Sequence, residues 1–338
     1  MTVSIDWKSL GFQYVETPCF VKCEYTSGKW GALEQCSEPY LKMHIAATCL
    51  HYGQACFEGM KAFRRKDGSI ALFRPEENAK RLIRSAERLA MQGPSVDLFI
   101  EACKKAVKLN EDYVPPYGSG ASLYLRPLLV GSTARIGVHP ADDYTFLVLA
   151  TPVGPYFKNG FLPIKVVVQE DYDRAAPRGI GHVKAAGNYA AALVPDTLGK
   201  AKGYPATLYL DSSTKEHIDE FGAANFLAIT TDGKYVTPDS TSALPSITNK
   251  SLQVLAQDFG LTVERRVVSV NELGQFAEIG ACGTAAVITP VHIISYRGKD
   301  ITFGKPDVAG ATLTRLYKEL QGIQYGDVED RHGWMLKV

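Results

Sequence analysis

Apolar positions recur along this chain at two spacings, and the changes between them mark its elements. The run Phe73-Arg-Pro75-Glu-Glu opens a helix. Proline fits a first helical turn, and carboxylates there face the positive end of the dipole. Leu82, Ala86, Leu89 and Ala90 follow at helical spacing and predict its apolar face. Ser95 is placed to cap a second helix, with Phe99, Ala102, Cys103, Ala106 and Val107 on one side. The stretch Pro115-Pro-Tyr-Gly-Ser-Gly120 reads as a loop. Ser122 to Val130 and Tyr144 to Ala150, rich in Leu, Val, Tyr and Phe, read as strands.

A proline- and glycine-rich stretch, Thr151 to Gly160, then separates two apolar strand patterns. The expected division is a small N-terminal α/β domain over 1–150, a linker over 151–162 and a large domain over 163–338. In the second part Ile164–Val168, Thr207–Leu210 and Phe226–Thr230 are strand-like. A helix is expected from near Thr248 to Gly260, a glycine suited to a left-handed helix end. Arg297-Gly298 has the form of a hairpin turn. Ala311 to Ile323 is a last amphipathic helix, with Leu313, Leu316, Tyr317 and Leu320 inward. Strands and helices in this order give an α+β fold rather than alternating β-α-β units. Two glycine-rich runs do not change that. Gly118-Ser-Gly120-Ala-Ser-Leu lacks the third glycine of a dinucleotide fingerprint, and Gly179-Ile-Gly181-His-Val-Lys184 lacks the spacer and ending of a P-loop.

Composition narrows the function classes. The 338 residues are 46% hydrophobic and 22% charged, with a net charge of +1, as in ordinary globular proteins. There is no basic cluster suited to nucleic acid and no apolar run long enough to span a bilayer. The first residues lack a signal-peptide pattern, so a cytoplasmic location is expected. Seven scattered cysteines form no Cys-x-x-Cys set, so reduced thiols are expected and a metal site is not.

The candidate chemistry centres on Lys184, in Gly179-Ile-Gly-His-Val-Lys184-Ala-Ala-Gly-Asn-Tyr189, and on Glu220, in His217-Ile-Asp-Glu220-Phe-Gly-Ala-Ala-Asn225. A lysine among small residues in a partly apolar pocket can act as nucleophile or base once it loses its proton. A carboxylate can hold a pyridine nitrogen protonated. Each also has a plainer reading, as a surface lysine near a turn and as a solvated acid beside Asp219. The company decides: Tyr52-Gly-Gln-Ala-Cys-Phe57-Glu-Gly-Met-Lys, Tyr124-Leu-Arg126-Pro and Gly283-Thr284-Ala-Ala-Val-Ile-Thr-Pro complete the set in one order. From about Tyr52 to the last helix the chain resembles the branched-chain-amino-acid aminotransferases, fold-type IV enzymes dependent on pyridoxal 5′-phosphate.

That resemblance implies a two-domain, D-amino-acid-aminotransferase-like fold: a small α/β domain and a larger pseudo-barrel domain, with the cofactor at their interface. Lys184 would be the Schiff-base lysine and proton shuttle, Glu220 the partner of the ring nitrogen, and Tyr189 a donor to the phenolic oxygen. Arg81, Ile247, Thr248 and Thr284 would hold the phosphate, although Thr248 could equally be a helix cap. Tyr52, Phe57 and Tyr124 would wall the side-chain pocket, and the turn Thr284-Ala285-Ala286 would meet the α-carboxylate. Arg126 would reach the distal carboxylate of glutamate, and Val138 would lie on a loop entering the neighbouring subunit's pocket in a homodimer. The implied activity is ping-pong transfer of the amino group of L-leucine, L-isoleucine or L-valine to 2-oxoglutarate. The rival readings are a D-amino-acid aminotransferase, an aminodeoxychorismate lyase, or a non-catalytic vitamin-B6-binding protein. Phe221, Ala223 and Ala224 after Glu220, and the Pro177-Arg178-Gly179-Ile stretch before Lys184, depart from the usual wording of the family and leave fine substrate preference open.

Overall fold

The computed structural model describes residues 5–7, 9–154 and 160–338; part of the expected linker, residues 155–159, lies outside the described residues. Contacts divide the chain into two compact units. One comprises Met1–Lys158, Val183–Ala186 and Gly322–Val338, the other Asn159–His182 and Gly187–Gln321.

The first unit is built on strands β1 (Phe20–Thr26), β2 (Lys29–Trp30), β3 (Glu34–Cys36), β4 (Ala55–Phe57), β5 (Met60–Arg64), β6 (Ile70–Phe73), β7 (Ser122–Gly131) and β8 (Tyr144–Val153). Its helices are α1 (Thr48–Tyr52), α2 (Pro75–Arg88) and α3 (Val96–Leu109). The long strands β7 and β8 pair antiparallel from Ser122↔Val153 to Gly131↔Tyr144 and are buried along most of their length. Their near-continuous apolar sequence reflects cover on both faces. The side chain of Ser95 caps α3 by accepting the Leu98 N–H at 3.2 Å, as expected. The predicted stripe Phe99 to Val107 is buried, and Phe99 stacks on Phe146 of β8 with centroids 5.9 Å apart. Each such large apolar side chain contributes about 1.5–3 kcal/mol by leaving water. For α2 the expected face needs one correction. The helix ends at Arg88, and Ala90 lies beyond it, exposed and in the left-handed region with φ 52°.

The second unit contains β9 (Ile164–Gln169), β10 (Ala206–Leu210), β11 (Ile218–Phe221), β12 (Asn225–Thr230), β13 (Tyr235–Pro238), β14 (Val263–Arg266), β15 (Phe276–Gly283), β16 (Val287–Tyr296) and β17 (Lys299–Thr302). Its helices are α4 (Ala186–Ala201), α5 (Ile247–Asp258) and α6 (Ala311–Tyr325). The strand order is β11-β10-β9-β16-β15-β12-β13-β14, and a tight turn with Phe221 N–H bonded to Ala224 O joins β11 directly to β12. The sheet thus curls back on itself into the pseudo-barrel of an α+β fold. Strands β9 and β10 are parallel, and α4 supplies the crossover between them. The last strand of the chain, β18 (Met335–Lys337), belongs to the first unit and pairs antiparallel with β6.

The sequence pattern does not predict α4. Pro195 lies inside it, its buried face is made of Asn188, Ala192, Pro195 and Gly199, and the larger apolar residues Leu193, Val194 and Leu198 are 65%, 54% and 47% exposed. Helix α5 begins at Ile247, and its cap is Ser246, which accepts the Asn249 N–H at 3.2 Å. Thr248 is therefore not the cap. Gly260 takes φ 81° just past the helix end, and the hairpin β16–β17 turns at Arg297 and Gly298 with φ 50° and 71°. In α6, Leu313, Leu316 and Leu320 are buried, while Tyr317 is half-buried against Phe161.

Candidate active site

In the first unit, four expected residues come together. Lys184 sits on a segment that adds to the edge of β4: its carbonyl accepts the Phe57 N–H at 3.1 Å, and Ala185 is bridged to Cys56. Its own N–H donates to the Ser85 hydroxyl on α2 at 3.0 Å. Main-chain bonds on both sides thus fix where the lysine leaves the backbone. The half-buried Lys184 Nζ lies 5.0 Å from the centroid of the Phe57 ring. The Arg126 guanidinium lies 4.5 Å from the same centroid and donates to the Tyr124 hydroxyl at 3.1 Å. Tyr124 and Arg126 alternate with buried Leu123 and Leu125 on β7, which fixes both side chains on one face of the sheet. Arg126 Nε is buried and, among the described residues, has no hydrogen-bond partner. An unpaired guanidinium donor suits a carboxylate ligand.

Three further findings in this unit were not read from sequence. Phe12 meets Tyr124 edge-on at 5.2 Å. Lys61, which pairs with Tyr124 in the β5–β7 register, has its ammonium pushed down to about 8 by burial. Glu58 forms a buried, two-pronged ion pair with Arg81: Nε and one Nη each reach a carboxylate oxygen at 2.7 Å, and Asn78 adds a donor at 2.8 Å. Glu58 stands inside a quoted motif, but only a demand for a partner to a buried arginine would have singled it out. Tyr52 is placed elsewhere. Its ring is 42% exposed and its hydroxyl donates to the Ile136 carbonyl, on the loop that carries Val138. Val138 itself is 80% exposed.

In the second unit Glu220 lies on β11 and is almost fully buried. Its Oε1 accepts from Arg174 at 2.7 Å and from the Leu244 N–H at 2.9 Å, and its Oε2 accepts from Asn225 Nδ2 at 2.8 Å. Burial pushes this carboxyl above its usual range, while Arg174 and the two N–H donors pull it back. Neither Arg174 nor the Asn225 contact is evident from the sequence; the only signal is that a buried acid needs a cation. Asp219 points to the other side of the strand, where Ser240 donates to one of its oxygens. Ile247 and Thr248 form the buried first turn of α5, whose free N–H groups suit a phosphate. Thr284, Ala285 and Ala286 are the half-buried turn between β15 and β16, followed by Val287 at φ 64°. A β-branched residue in that region is strained, and such strain clusters at functional turns. Tyr189 is half-buried in the first turn of α4.

The donor set matches an anionic cofactor with a basic ring nitrogen. The second unit carries a carboxylate with spare acceptor capacity and a capped helix start, and the first unit carries a half-buried lysine. Among the described residues there is no group of His, Cys, Asp and Glu that could hold a metal ion, and no helix long and apolar enough to cross a membrane.

The branched-chain-amino-acid aminotransferase of Haemophilus influenzae is 48% identical over 340 residues, covering 99% of both chains. The Helicobacter pylori protein of the same name is 46% identical, covering 99% of this chain and 98% of its own. The crystal structure of the Escherichia coli branched-chain amino acid aminotransferase matches with a TM-score of 0.81 at 28% identity, covering 95% of this chain and 99% of that one. The family model for amino-transferase class IV matches residues 55–294, and the chain belongs to that family.

Proposed function

We propose that this protein is a pyridoxal-phosphate-dependent aminotransferase that moves the amino group of L-leucine, L-isoleucine or L-valine to 2-oxoglutarate in a ping-pong cycle. Its full-length likeness to two branched-chain-amino-acid aminotransferases supports the substrate class. The observation that carries the reading is the Phe57–Arg126–Tyr124 wall beside Lys184. One pocket must accept an aliphatic side chain and then a glutamate side chain. The Phe57 ring face supplies apolar surface for the first, and the unpaired Arg126 Nε supplies a donor for the second.

When bound, pyridoxal phosphate supplies an aldehyde carbon for the amino group and a protonated ring that takes up electron density. The chain's own residues do the rest. Lys184 Nζ would hold the cofactor and would move a proton to and from the reacting carbon. Glu220 keeps the ring nitrogen protonated. Arg81, the α5 turn at Ile247 and Thr248, and Thr284 bind the phosphate, and Tyr189 donates to the phenolic oxygen. Tyr124 and the turn at Ala285 and Ala286 orient the substrate carboxylate.

We place the active form as a homodimer. Ile45, Ile136 and Val138 are 83%, 70% and 80% exposed, a cost that a partner subunit would remove. A cytoplasmic location fits the seven free thiols. The test is the visible spectrum of the purified protein. L-leucine should bleach the cofactor band and 2-oxoglutarate should restore it. Bleaching by D-alanine alone would overturn the substrate assignment, and failure to take up the cofactor would overturn the whole reading. Val138→Asp should yield monomers on size exclusion; an unchanged dimer would refute the role given to that loop.

A further inference from the structure

The buried side chains behind Glu220 form a directed chain that ends on the α5 helix. Asn225 Nδ2 donates both to Glu220 Oε2 at 2.8 Å and to the Leu244 carbonyl at 2.9 Å. Two acceptors on one nitrogen fix the orientation of that amide, so its Oδ1 must face the other way. There it accepts from Asn249 Nδ2 at 3.2 Å. Asn249 is oriented in turn: its Nδ2 also donates to the Thr237 hydroxyl at 2.8 Å, and its Oδ1 accepts from the Tyr235 hydroxyl at 2.7 Å. Asn249 is the third residue of α5, and its backbone N–H completes the Ser246 cap. All four links, Tyr235, Asn249, Asn225 and Glu220, are buried.

We propose that Asn249 is a positioning residue that ties the phosphate-binding start of α5 to the acidity of Glu220 through Asn225. The inference rests on the cofactor reading above and assigns to this pair of amides a role which that reading does not contain. The polarity of the chain matters. Along the main path the Tyr235 hydroxyl donates to Asn249, Asn249 to Asn225 and Asn225 to Glu220, so each amide strengthens the next as a donor. If Asn249 is lost, Asn225 loses the bond that holds its Oδ1, and its grip on Glu220 Oε2 weakens. Glu220 then takes a proton more readily and holds the cofactor nitrogen in its charged form less well. The first turn of α5 loses its lateral tether in the same change.

The structure also separates this role from simple packing. Asn249→Ala removes both the bond and the volume. Asn249→Asp keeps the volume and keeps an acceptor for Tyr235, but sets an oxygen against Asn225 Oδ1. That opposition repels the Asn225 amide oxygen and draws its Nδ2 off Glu220 Oε2. The aspartate variant should therefore perturb the ring nitrogen at least as strongly as the alanine variant. A packing role predicts the reverse order.

The experiment loads the full-length protein with pyridoxal phosphate labelled with 15N in the ring. It reads the ring-nitrogen chemical shift against pH, together with the cofactor dissociation constant. The wild-type protein should show a protonated ring nitrogen. Both Asn249 variants should move it toward the neutral-pyridine value and weaken cofactor binding about tenfold or more, with Asn249→Asp shifting it at least as far. Tyr235→Phe, which deletes one hydroxyl and keeps the ring, should give a smaller shift in the same direction and serves if the Asn249 variants do not fold. Variants that bind within twofold of wild type and keep its nitrogen shift would overturn the proposal, as would a shift in Asn249→Ala with none in Asn249→Asp. A wild-type protein that does not bind the cofactor would instead overturn the functional reading on which it rests.

Discussion

Gly59 offers a sharp test of the substrate wall because the perturbation is one carbon atom. The residue precedes β5, which pairs with β7 at Met60↔Leu125 and Lys61↔Tyr124, and the Tyr124 side chain reaches back over it. A Cβ built there overlaps the Tyr124 hydroxyl and lies 3.0 Å and 3.4 Å from two ring carbons. Its φ is not in the left-handed region, so alanine is resisted by the tyrosine and not by the backbone. Relief requires the phenol to move away from β5. Tyr124 is packed by Phe12 and sits on a strand paired along its whole length, so only its side chain can yield. Forcing a methyl into such a site costs about 1–3 kcal/mol. The displaced hydroxyl also leaves Arg126, a charged hydrogen bond worth roughly 1.5–3 kcal/mol.

Gly59→Ala should therefore lower kcat/KM for both leucine and glutamate by about 10- to 100-fold, taking tenfold per about 1.4 kcal/mol. Glutamate should suffer more, because it uses both Tyr124 and the Arg126 that Tyr124 orients. Steady-state kinetics with each amino donor, alongside a cofactor titration, provide the assay. Cofactor affinity should stay near wild type. A folded variant with unchanged kcat/KM would refute the placement of Tyr124 in the substrate pocket. A loss of cofactor affinity that accounts for the whole kinetic defect would refute it equally.

The other predictions concern buried charge. Lys61 holds its proton less well when folded, at about 8 against 10.5, so it subtracts stability below pH 8 and stops doing so as the pH rises toward 10.5. Lys61→Met should raise stability at pH 7 by up to about 3 kcal/mol and flatten the rise between pH 8 and 10.5 in urea titrations; an unchanged slope would refute the desolvation. Arg81→Met strands the Glu58 carboxylate and should cost about 3–5 kcal/mol. Adding Glu58→Leu should restore most of that stability, measured by urea midpoint, without restoring cofactor binding; recovery of both would remove Arg81 from the phosphate site. Glu220→Gln should leave cofactor uptake measurable but move the ring nitrogen to its neutral form, read by the same 15N experiment, and an unmoved signal would remove Glu220 from that role.

Local signals made part of this molecule legible. Ser95 as a cap, Pro75 at a helix start, Gly260 beyond a helix end and the Arg297-Gly298 turn each act within a few residues, and each stands where the pattern put it. The motif residues Phe57, Tyr124, Arg126 and Lys184 are brought together as expected. What stayed hidden depends on partners far apart in sequence. Glu58 is known only through Arg81, Arg174 only through Glu220, and Asn249 only through Asn225. Helix α4 was hidden for another reason: Pro195 and its outward-facing Leu193 and Val194 give it no amphipathic signature. The segment 183–186 joins the edge of β4 through main-chain bonds, which no side-chain pattern announces.

The bonding deficits in the structure say where ligands belong more plainly than the charges do. The Glu58 carboxylate is satisfied within the protein, by Arg81 and by Asn78. Glu220 differs. Its Oε1 accepts twice, but its Oε2 accepts once among the described residues, in a site where burial already disfavours the anion. A carboxylate with its pKa raised is a cost to the fold at neutral pH and ceases to be one only as pH falls and it takes up a proton. A cationic ring nitrogen docked against Oε2, as proposed, would remove that cost without protonating the acid. Arg126 shows the complementary deficit, a buried Nε with no acceptor. Arg65 Nε, Tyr209 Oη, Asp219 Oδ2 and Gln324 Oε1 are also buried and unpaired, so a deficit alone does not make a site. What distinguishes Arg126 is that its guanidinium also lies over Phe57 and bonds Tyr124 in the wall beside Lys184. Glu220 Oε2 and Arg126 Nε are therefore the atoms against which we propose that the cofactor ring nitrogen and the substrate's distal carboxylate dock.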